Sequence, residues 1–404
     1  MTPWPLEKIP QLAAPAITAI LQSLANARLQ SRTPLAAATE PDAARFAETR
    51  WEALGLDRDD MRHVTEQANA MFHTSLISPA PSAFCGEMGQ RILAEWGPGE
   101  RPITFFTSGS TGAPKGCTHL ESHLRQETAG LAPFFTDRKS VLTTVPAHHM
   151  YGFSFGLLLP LSLGISLRRV MPLPSILGEQ MRPGDLVVTI PLLLSRMINA
   201  RGWQATGSGA GREISIVTAT APFSEADRES LLRQDFCVYD FYGTTETLTI
   251  CCRRGEEALF TLLPHVARGC DGHPDTIVRR LPDGALRRYP LQDSVFWADD
   301  KHLRIGRRLD NAVQVGGVNV HPARIARILR AHAGVRECQV RLMRPEEGNR
   351  LKVFVVPEEG WNTQELRSDL LRYAYENLTH AERPKRITFG AALPRNPMGK
   401  LADW

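Results

Sequence analysis

The stretch "TFFTSGSTGAPKG", residues 104–116, decides how this chain is read. A short β-branched and aromatic run opens into hydroxyl residues, glycines, a proline and a lysine, so a strand leads into a loop. Such a loop, with a helix behind it, presents backbone N–H groups, hydroxyls and one cation to an anion. It reads as a phosphate site, with a Ser/Gly surface turn as the plain alternative. A Walker loop requires GxxxxGK[ST], in which the second glycine allows a tight nest and the Ser/Thr after the lysine binds magnesium. Here Pro114 stands before Lys115, and Gly116 takes the hydroxyl position. These two residues exclude a standard P-loop NTPase. Thr118 and Glu121 make an S/T-x-x-E pattern, which predicts a capping box and fixes where the following helix begins.

Around the loop the hydrophobic pattern changes twice. Residues 1 to about 100 carry apolar residues at helical spacing, as in "ITAILQSLANARL" and "MRHVTEQANAMF". Then the β-rich runs "PITFFT", "SVLTTVP", "DLVVTI", "EISIVTA" and "CVYDFYG" alternate with helical segments such as "HLESHLRQETAGL". That alternation predicts an α/β domain with mixed and largely parallel sheets flanked by helices. After Gly269, "DTIVRRLPDGALRRYPL" predicts a hairpin turning at Pro282–Gly284. "HLRIGRRLDNAVQVGGVNV" predicts two strands, Pro322 opens a helix, and "ECQVRLMRPEEGNRLKVFVVP" predicts two more strands. A helix near 363–378 and a final loop complete a small α+β module. The expected division is a large domain over 1–309 and a small one over 310–404.

The 404 residues are 43% hydrophobic and 22% charged, ordinary for a soluble chain able to bury a large core. A net charge of +4 supplies no argument for nucleic-acid or membrane binding. The amino terminus has no basic region followed by a long apolar run, and no stretch approaches ~18 uninterrupted apolar residues, so a cytoplasmic protein is expected. The seven cysteines are odd in number and lack framework spacing, which suits a reducing compartment. Cys251, Cys252, His265, Cys270 and His273 could be metal ligands. Against zinc, adjacent cysteines do not easily share one tetrahedral ion, and no CxxC pair anchors the set.

Further segments carry residue types suited to nucleotide chemistry. "VPAHHMYGF" (145–153) sets His148 and His149 among aromatics. "TATAPF" (218–223) ends a strand in small residues, including Thr220 and Ala221, that let a backbone approach a flat ring. "YDFYGTTET" (239–247) joins Tyr242, Gly243, Thr244, Thr245 and Glu246 in one run, and Asp293 in "PLQDS" suits paired hydroxyls. "RIGRRLDNAVQVGGVNV" contains Arg308, Asp310, Gly316 and Gly317, and "PRNPMGKL" (394–401) brings Lys400. Each alone has an ordinary reading: a core histidine, a strand end, an exposed turn, a hairpin with incidental glycines, a solvated lysine.

Their order along the chain, from Thr104 to Leu401, resembles that of the adenylate-forming superfamily. That superfamily includes acyl- and aryl-CoA synthetases, peptide-synthetase adenylation domains and luciferases. The resemblance implies a large adenylation domain followed by a small mobile domain. It implies that Thr107, Ser108, Gly109, Ser110, Thr111, Gly112 and Lys115 handle the β- and γ-phosphates of ATP. Thr220 and Ala221 would border the purine, and Tyr242 would stack on adenine, with Gly243 and Thr244 in the same nucleotide-binding run. Thr245 would meet the α-phosphate, and Glu246 would hold magnesium. Asp293 would bind the ribose hydroxyls, although Leu291 and Gln292 replace the family's Thr and Gly. Arg308 would face ribose and phosphate, Asp310 would be the hinge, and Gly316 and Gly317 would line a phosphopantetheine passage. Lys400 would bridge the substrate carboxylate and the α-phosphate. His149 matches the family residue beside the carboxylate, with His148, Tyr151, Phe153 and Phe241 around the acyl pocket. About 100 residues precede the loop, fewer than in typical members, which leaves the pocket walls undefined.

The implied reaction is ATP-dependent activation of a carboxylic acid to an acyl-AMP, then thioester formation on coenzyme A or a carrier protein's phosphopantetheine. The aromatic residues favour a benzoate- or hydroxybenzoate-like acid over fatty or small aliphatic acids. From Asp310 onward 15 Lys/Arg stand against 11 Asp/Glu. Arg324, Arg327 and Arg330 recur at helical spacing and are either a contact for an acidic carrier protein or the coenzyme's 3′-phosphate, or an ordinary solvated face. Transfer of the adenylate to an amine is an alternative within the enzyme class. The loop's departures oppose an ADP-forming P-loop NTPase, and the retained Lys400 and Glu246 oppose a non-catalytic AMP-binding module.

Overall fold

The computed structural model describes residues 2–32, 43–108, 114–200, 213–269, 275–310, 312–316, 318–344, 347–348, 350–394 and 404. Two compact units emerge, Met1–Phe106 with Gly116–Gly306, and Thr107–Lys115 with Arg307–Trp404.

In the first unit, α1 (Ala14–Arg32), α2 (Ala43–Ala47), α3 (Arg58–Phe72) and α4 (Cys85–Trp96) form a helical layer. Their apolar stripes, including Ile17, Ile20, Val64, Met71 and Ile92, share a core with Ile103 and Phe105. These last two belong to β1 (Pro102–Ser108), which pairs with β2 (Pro114–Leu120) as a two-stranded sheet. The element behind the loop is therefore a strand, and helix α5 (Glu121–Leu131) begins only after it. The expected Thr118–Glu121 capping box does not form. Thr118 is held extended on β2, where its hydroxyl meets Thr104 Oγ1 at 2.7 Å. Glu121 turns inward instead, accepting from Arg101 Nε at 2.7 Å and from the Leu12 N–H at 2.5 Å.

The main sheet gathers β3 (Ser140–Thr143), β4 (Ser166–Arg169), β5 (Asp185–Thr189), β6 (Ser215–Thr218), β7 (Cys237–Thr244), β8 (Leu248–Arg254) and β9 (Phe260–Leu262). Next, β10 (Val266–Arg268), β11 (Thr276–Arg280) and β12 (Leu286–Pro290) form a sheet of their own, with the hairpin turn where the sequence predicts it. β13 (Asp293–Trp297) and β14 (His302–Arg308) then rejoin the main sheet, whose order is β13-β14-β9-β8-β7-β6-β5-β3-β4. Strands β4, β3, β5, β6 and β7 run parallel, and β7, β8, β9 and β14 alternate. Val141, Leu186, Val188, Val217 and Tyr239 enter one core. Their neighbours Leu142, Val187, Ile216 and Val238 enter the opposite one, covered by α8 (Pro174–Gln180), α9 (Pro191–Ile198) and α10 (Glu225–Leu232). Burial on both faces is why these parallel strands read as short apolar runs. The helix formed by α6 (Met150–Phe153), a wider π turn and α7 (Leu159–Leu163) follows β3. From β3 the chain passes to β4 on one side and returns to β5 on the other. Such a reversal of strand order is where open α/β sheets bind ligands, at the carboxyl ends of the strands.

The second unit contains the hairpin β15 (Val313–Val315) and β16 (Val318–Val320), then α11 (Pro322–Arg330), β17 (Val335–Leu342), β18 (Leu351–Pro357), α12 (Thr363–Asn377) and β19 (Arg386–Phe389). Ile325, Leu329, Leu366 and Leu370 pack on Val340, Val353 and Val355. Two segments depart from the sequence expectation. Residues 302–320 make three strands rather than two, and the expected terminal loop contains β19, parallel to β18. Four residues, "RITF", are too few to display an alternation.

Candidate active site

The turn after β7 gathers most of the nucleotide motif. Gly243 is required there, because a Cβ on it would lie 2.3 Å from the Leu248 carbonyl oxygen. Thr244 N–H donates to Thr247 Oγ1 at 3.0 Å and Thr247 N–H donates back to Thr244 Oγ1 at 3.2 Å, closing the turn. Thr245 and Glu246 sit between them, both half-buried. Three elements hold this turn from the protein interior. His119 on β2 donates from Nε2 to the Thr245 carbonyl at 2.6 Å. Arg279 on β11, 1% exposed, donates from Nη1 to the Thr247 carbonyl at 2.9 Å. Glu127 on α5 accepts from the Thr249 N–H at 2.6 Å and from Ser154 Oγ at 2.5 Å. Burial lowers the pKa of His119 and of Arg279, and the nearby Glu127 charge opposes the shift in both. None of His119, Glu127, Ser154 or Arg279 belongs to the motifs legible in sequence. Their only signal is a polar residue at a position whose neighbours are core.

The Tyr242 hydroxyl donates to Asp293 Oδ2 at 2.8 Å, and Gln292 Nε2 donates to Glu246 Oε1 at 3.3 Å. These two bonds bring the end of β7 and its turn against Gln292 and Asp293, although β7 and β13 are far apart in sequence. Thr220, just beyond β6, has φ 77°, and its buried Oγ1 has no hydrogen-bond partner among the described residues. A β-branched residue in the left-handed region is strained, and such strain collects at ligand sites. The donor set fits magnesium, which takes one or two carboxylates together with substrate phosphates; Glu246 supplies such a carboxylate, flanked in sequence by threonines.

On the acyl side, Ala147 N–H donates to Ser23 Oγ, and Ser23 Oγ meets His148 Nδ1, both at 2.9 Å. The His148 and His149 rings lie 4.3 Å apart. Burial lowers the pKa of His148 well below its usual value, whereas His149 is exposed. The other residues expected to wall the pocket are committed to packing. The Tyr151 hydroxyl is shared by the carbonyls of Thr189 and Val217, each at 3.0 Å, tying β5 to β6. Phe153 is fully buried edge-on to Phe105, and Phe241 packs on Phe155 with centroids 4.9 Å apart. Phe241 alternates with Tyr242 along β7: Phe241 is buried in the core, and Tyr242 is partly buried at its edge.

In the second unit, Lys115 is exposed, and Thr107 Oγ1 reaches the Lys115 carbonyl at 3.4 Å. The Arg308 guanidinium grips Asp310 with both arms, at 2.8 and 2.5 Å, and holds that carboxyl below its usual range. Gly316 has φ 61° in the tight turn of the β15–β16 hairpin. Arg324 is tied to the buried Glu382, whereas Arg327 and Arg330 are exposed, so the three arginines do not form one uniform face. Gly109, Ser110, Thr111, Gly112, Gly317 and Lys400, and the side chain of Ser108, lie outside the described residues. Cys270 and His273 do too; among the described residues no His/Cys/Asp/Glu group is arranged to hold a metal. Also among them, no helix is long and apolar enough to cross a membrane.

The fold is that of the adenylate-forming ligases. A malonyl-CoA ligase, in a ternary product complex with methylmalonyl-CoA and AMP bound, superposes with a TM-score of 0.61 at 22% identity, covering 72% of this chain and 71% of that one. The description "AMP-binding enzyme" matches residues 36–271, and "AMP-binding enzyme C-terminal domain" matches 324–400. A 4-coumarate–CoA ligase of Halorhodospira halophila is 33% identical over 78% of each chain. A 4-coumarate–CoA ligase of Cereibacter sphaeroides is 34% identical over 87% of this chain and 84% of its own. The chain belongs to the AMP-binding enzyme family, and it is an AMP-forming acid–thiol ligase.

Proposed function

We propose that the protein joins an aromatic acid to coenzyme A in two half-reactions. The observation that carries this reading is that both relatives above are 4-coumarate–CoA ligases sharing about a third of their residues with this chain over most of its length. The exposed His149 is a donor suited to a substrate carboxylate.

In the first half-reaction, a carboxylate oxygen attacks the α-phosphorus of ATP in line. The bond to the bridging oxygen breaks, and pyrophosphate leaves an acyl-AMP behind. Thr245 meets the α-phosphate, Asp293 and Tyr242 hold the nucleoside, and Lys115 with its loop steadies the departing phosphates. Lys400 is assigned to offset the negative charge that develops as the carboxylate attacks. A magnesium ion held by Glu246 would screen the repulsion between the two anions. The small domain then turns about Asp310, with the Arg308–Asp310 pair at the pivot. A thiol passing Gly316 and Gly317 attacks the acyl carbonyl, the carbon–oxygen bond to phosphate breaks, and AMP departs.

A panel of carboxylic acids assayed by pyrophosphate release, then with coenzyme A and with carrier protein as acceptors, tests this reading. Hydroxycinnamate- or hydroxybenzoate-like acids are expected to drive release, with coenzyme A as acceptor. Turnover restricted to fatty acids or acetate would overturn the choice of acid. Lys400→Ala is expected to slow adenylation by about 10²–10³-fold. Adenylation at the parental rate would overturn the mechanism.

A further inference from the structure

The Thr245 carbonyl belongs to the peptide unit that joins Thr245 to Glu246. Whatever fixes the orientation of that unit fixes both side chains at once, since it sets ψ of the first residue and φ of the second. One side-chain donor is bonded to it, His119 Nε2, at 2.6 Å and only 5% exposed. Because a carbonyl can only accept, Nε2 carries the ring hydrogen. We propose that His119 is a positioning residue for the Thr245–Glu246 pair, holding their shared peptide plane so that hydroxyl and carboxylate meet the α-phosphate and the magnesium ion together. This rests on the roles proposed above for Thr245 and Glu246.

The surroundings support an orienting task over simple filling of space. Arg279 holds the Thr247 carbonyl two peptide units on, and the Thr244–Thr247 pair closes the turn, so the segment is restrained at three successive points. Leu248 immediately follows with φ 59°, a conformation a leucine keeps only where tertiary contacts impose it. His119 is three residues beyond Gly116 on β2, so the strand leaving the proposed phosphate loop also supports the proposed metal-binding turn.

The test compares His119→Phe, which keeps bulk without a donor, with His119→Gln, whose amide can reach where Nε2 stands. Each is measured for thermal midpoint, for the rise in that midpoint caused by ATP with and without magnesium, and for adenylation kinetics. His119→Phe should fold, lose most of its magnesium-dependent stabilisation by ATP, and lose adenylation about 10–100-fold, the range seen when a supporting residue behind a metal ligand is removed. The KM for the acid should stay near parental, and His119→Gln should restore most of the loss. A folded His119→Phe protein with parental magnesium-dependent stabilisation overturns the proposal. So does a folded His119→Gln protein as impaired as the phenylalanine variant. Glu246→Gln is run beside them: if it leaves the magnesium dependence intact, the assigned role of Glu246 fails. If Glu246→Gln abolishes that dependence while His119→Phe does not, only the present inference fails.

Discussion

Two turns that carry glycine-containing motifs, one after β7 in the first unit and one between β15 and β16 in the second, are held in opposite ways. The first is clasped by side chains from β2, α5 and β11, at least three of them buried, and it keeps a strained leucine. The second closes β15 onto β16 in register, Val315 opposite Val318, and Gly316 adopts the left-handed region with open space around its Cα. Rigid support suits the proposed meeting of the first turn with a phosphate and a cation at set positions, whereas a thin, unobstructed hairpin suits the proposed passage for a thiol arm.

The largest effect is expected from breaking the support of the first turn. Glu127 is fully buried, and Glu127→Ala strands the Thr249 N–H, the Ser154 hydroxyl and the charge of Arg279. A loss of about 3–5 kcal/mol in denaturant unfolding is expected. A loss below about 1 kcal/mol, typical of a surface pair, would show the clasp to be incidental.

A smaller effect, counted per residue, follows from pH. Burial, and then the charge of Arg279, pushes the His265 pKa down from 6.5 to about 3, and burial also lowers those of His119 and His148. A base with a depressed folded pKa takes up its proton more readily when unfolded. Stability is therefore full above pH 6.5, falls as pH drops below it, and levels off near pH 3 for His265. Each histidine that stays neutral contributes a slope of about 1.4 kcal/mol per pH unit in that window. Unfolding curves at pH 7, 6 and 5 check this, and His265→Gln should flatten part of the slope. An unchanged slope would remove His265 from the account.

The smallest effect belongs to the second turn. Gly316→Ala meets no neighbour, so its cost is conformational, about 1–2 kcal/mol. It should also slow thioester formation from preformed acyl-AMP while sparing pyrophosphate release. A parental thioester rate would separate the hairpin from any thiol passage.

Much of the fold was legible. The double-sided burial of β3, β5 and β6 appears as short apolar runs, and Pro322 opens α11 as expected. The segment behind "TFFTSGSTGAPKG" was misread for a physical reason: Thr118 and Glu121 satisfy a local helix-start pattern, but pairing with β1 extends Thr118, and Glu121 goes to Arg101. For the candidate site, the sequence supplied the motifs and the structure supplied their contacts. Tyr242, Glu246 and Asp293 come together, but Tyr151, Phe153 and Phe241 serve the core rather than an open pocket wall.

The sequence alone determined what depends on short-range order: the alternation of strands and helices, the departures from a Walker loop, and the succession of motifs that marks the family. The tertiary structure alone decided which residues hold the motifs in place. His119 and Thr245 are separated by 126 positions, and Glu127 and Thr249 by 122, and no spacing rule links them. A buried donor and acceptor are paired because leaving either without water or partner costs too much, and which pair forms is set by how the layers pack.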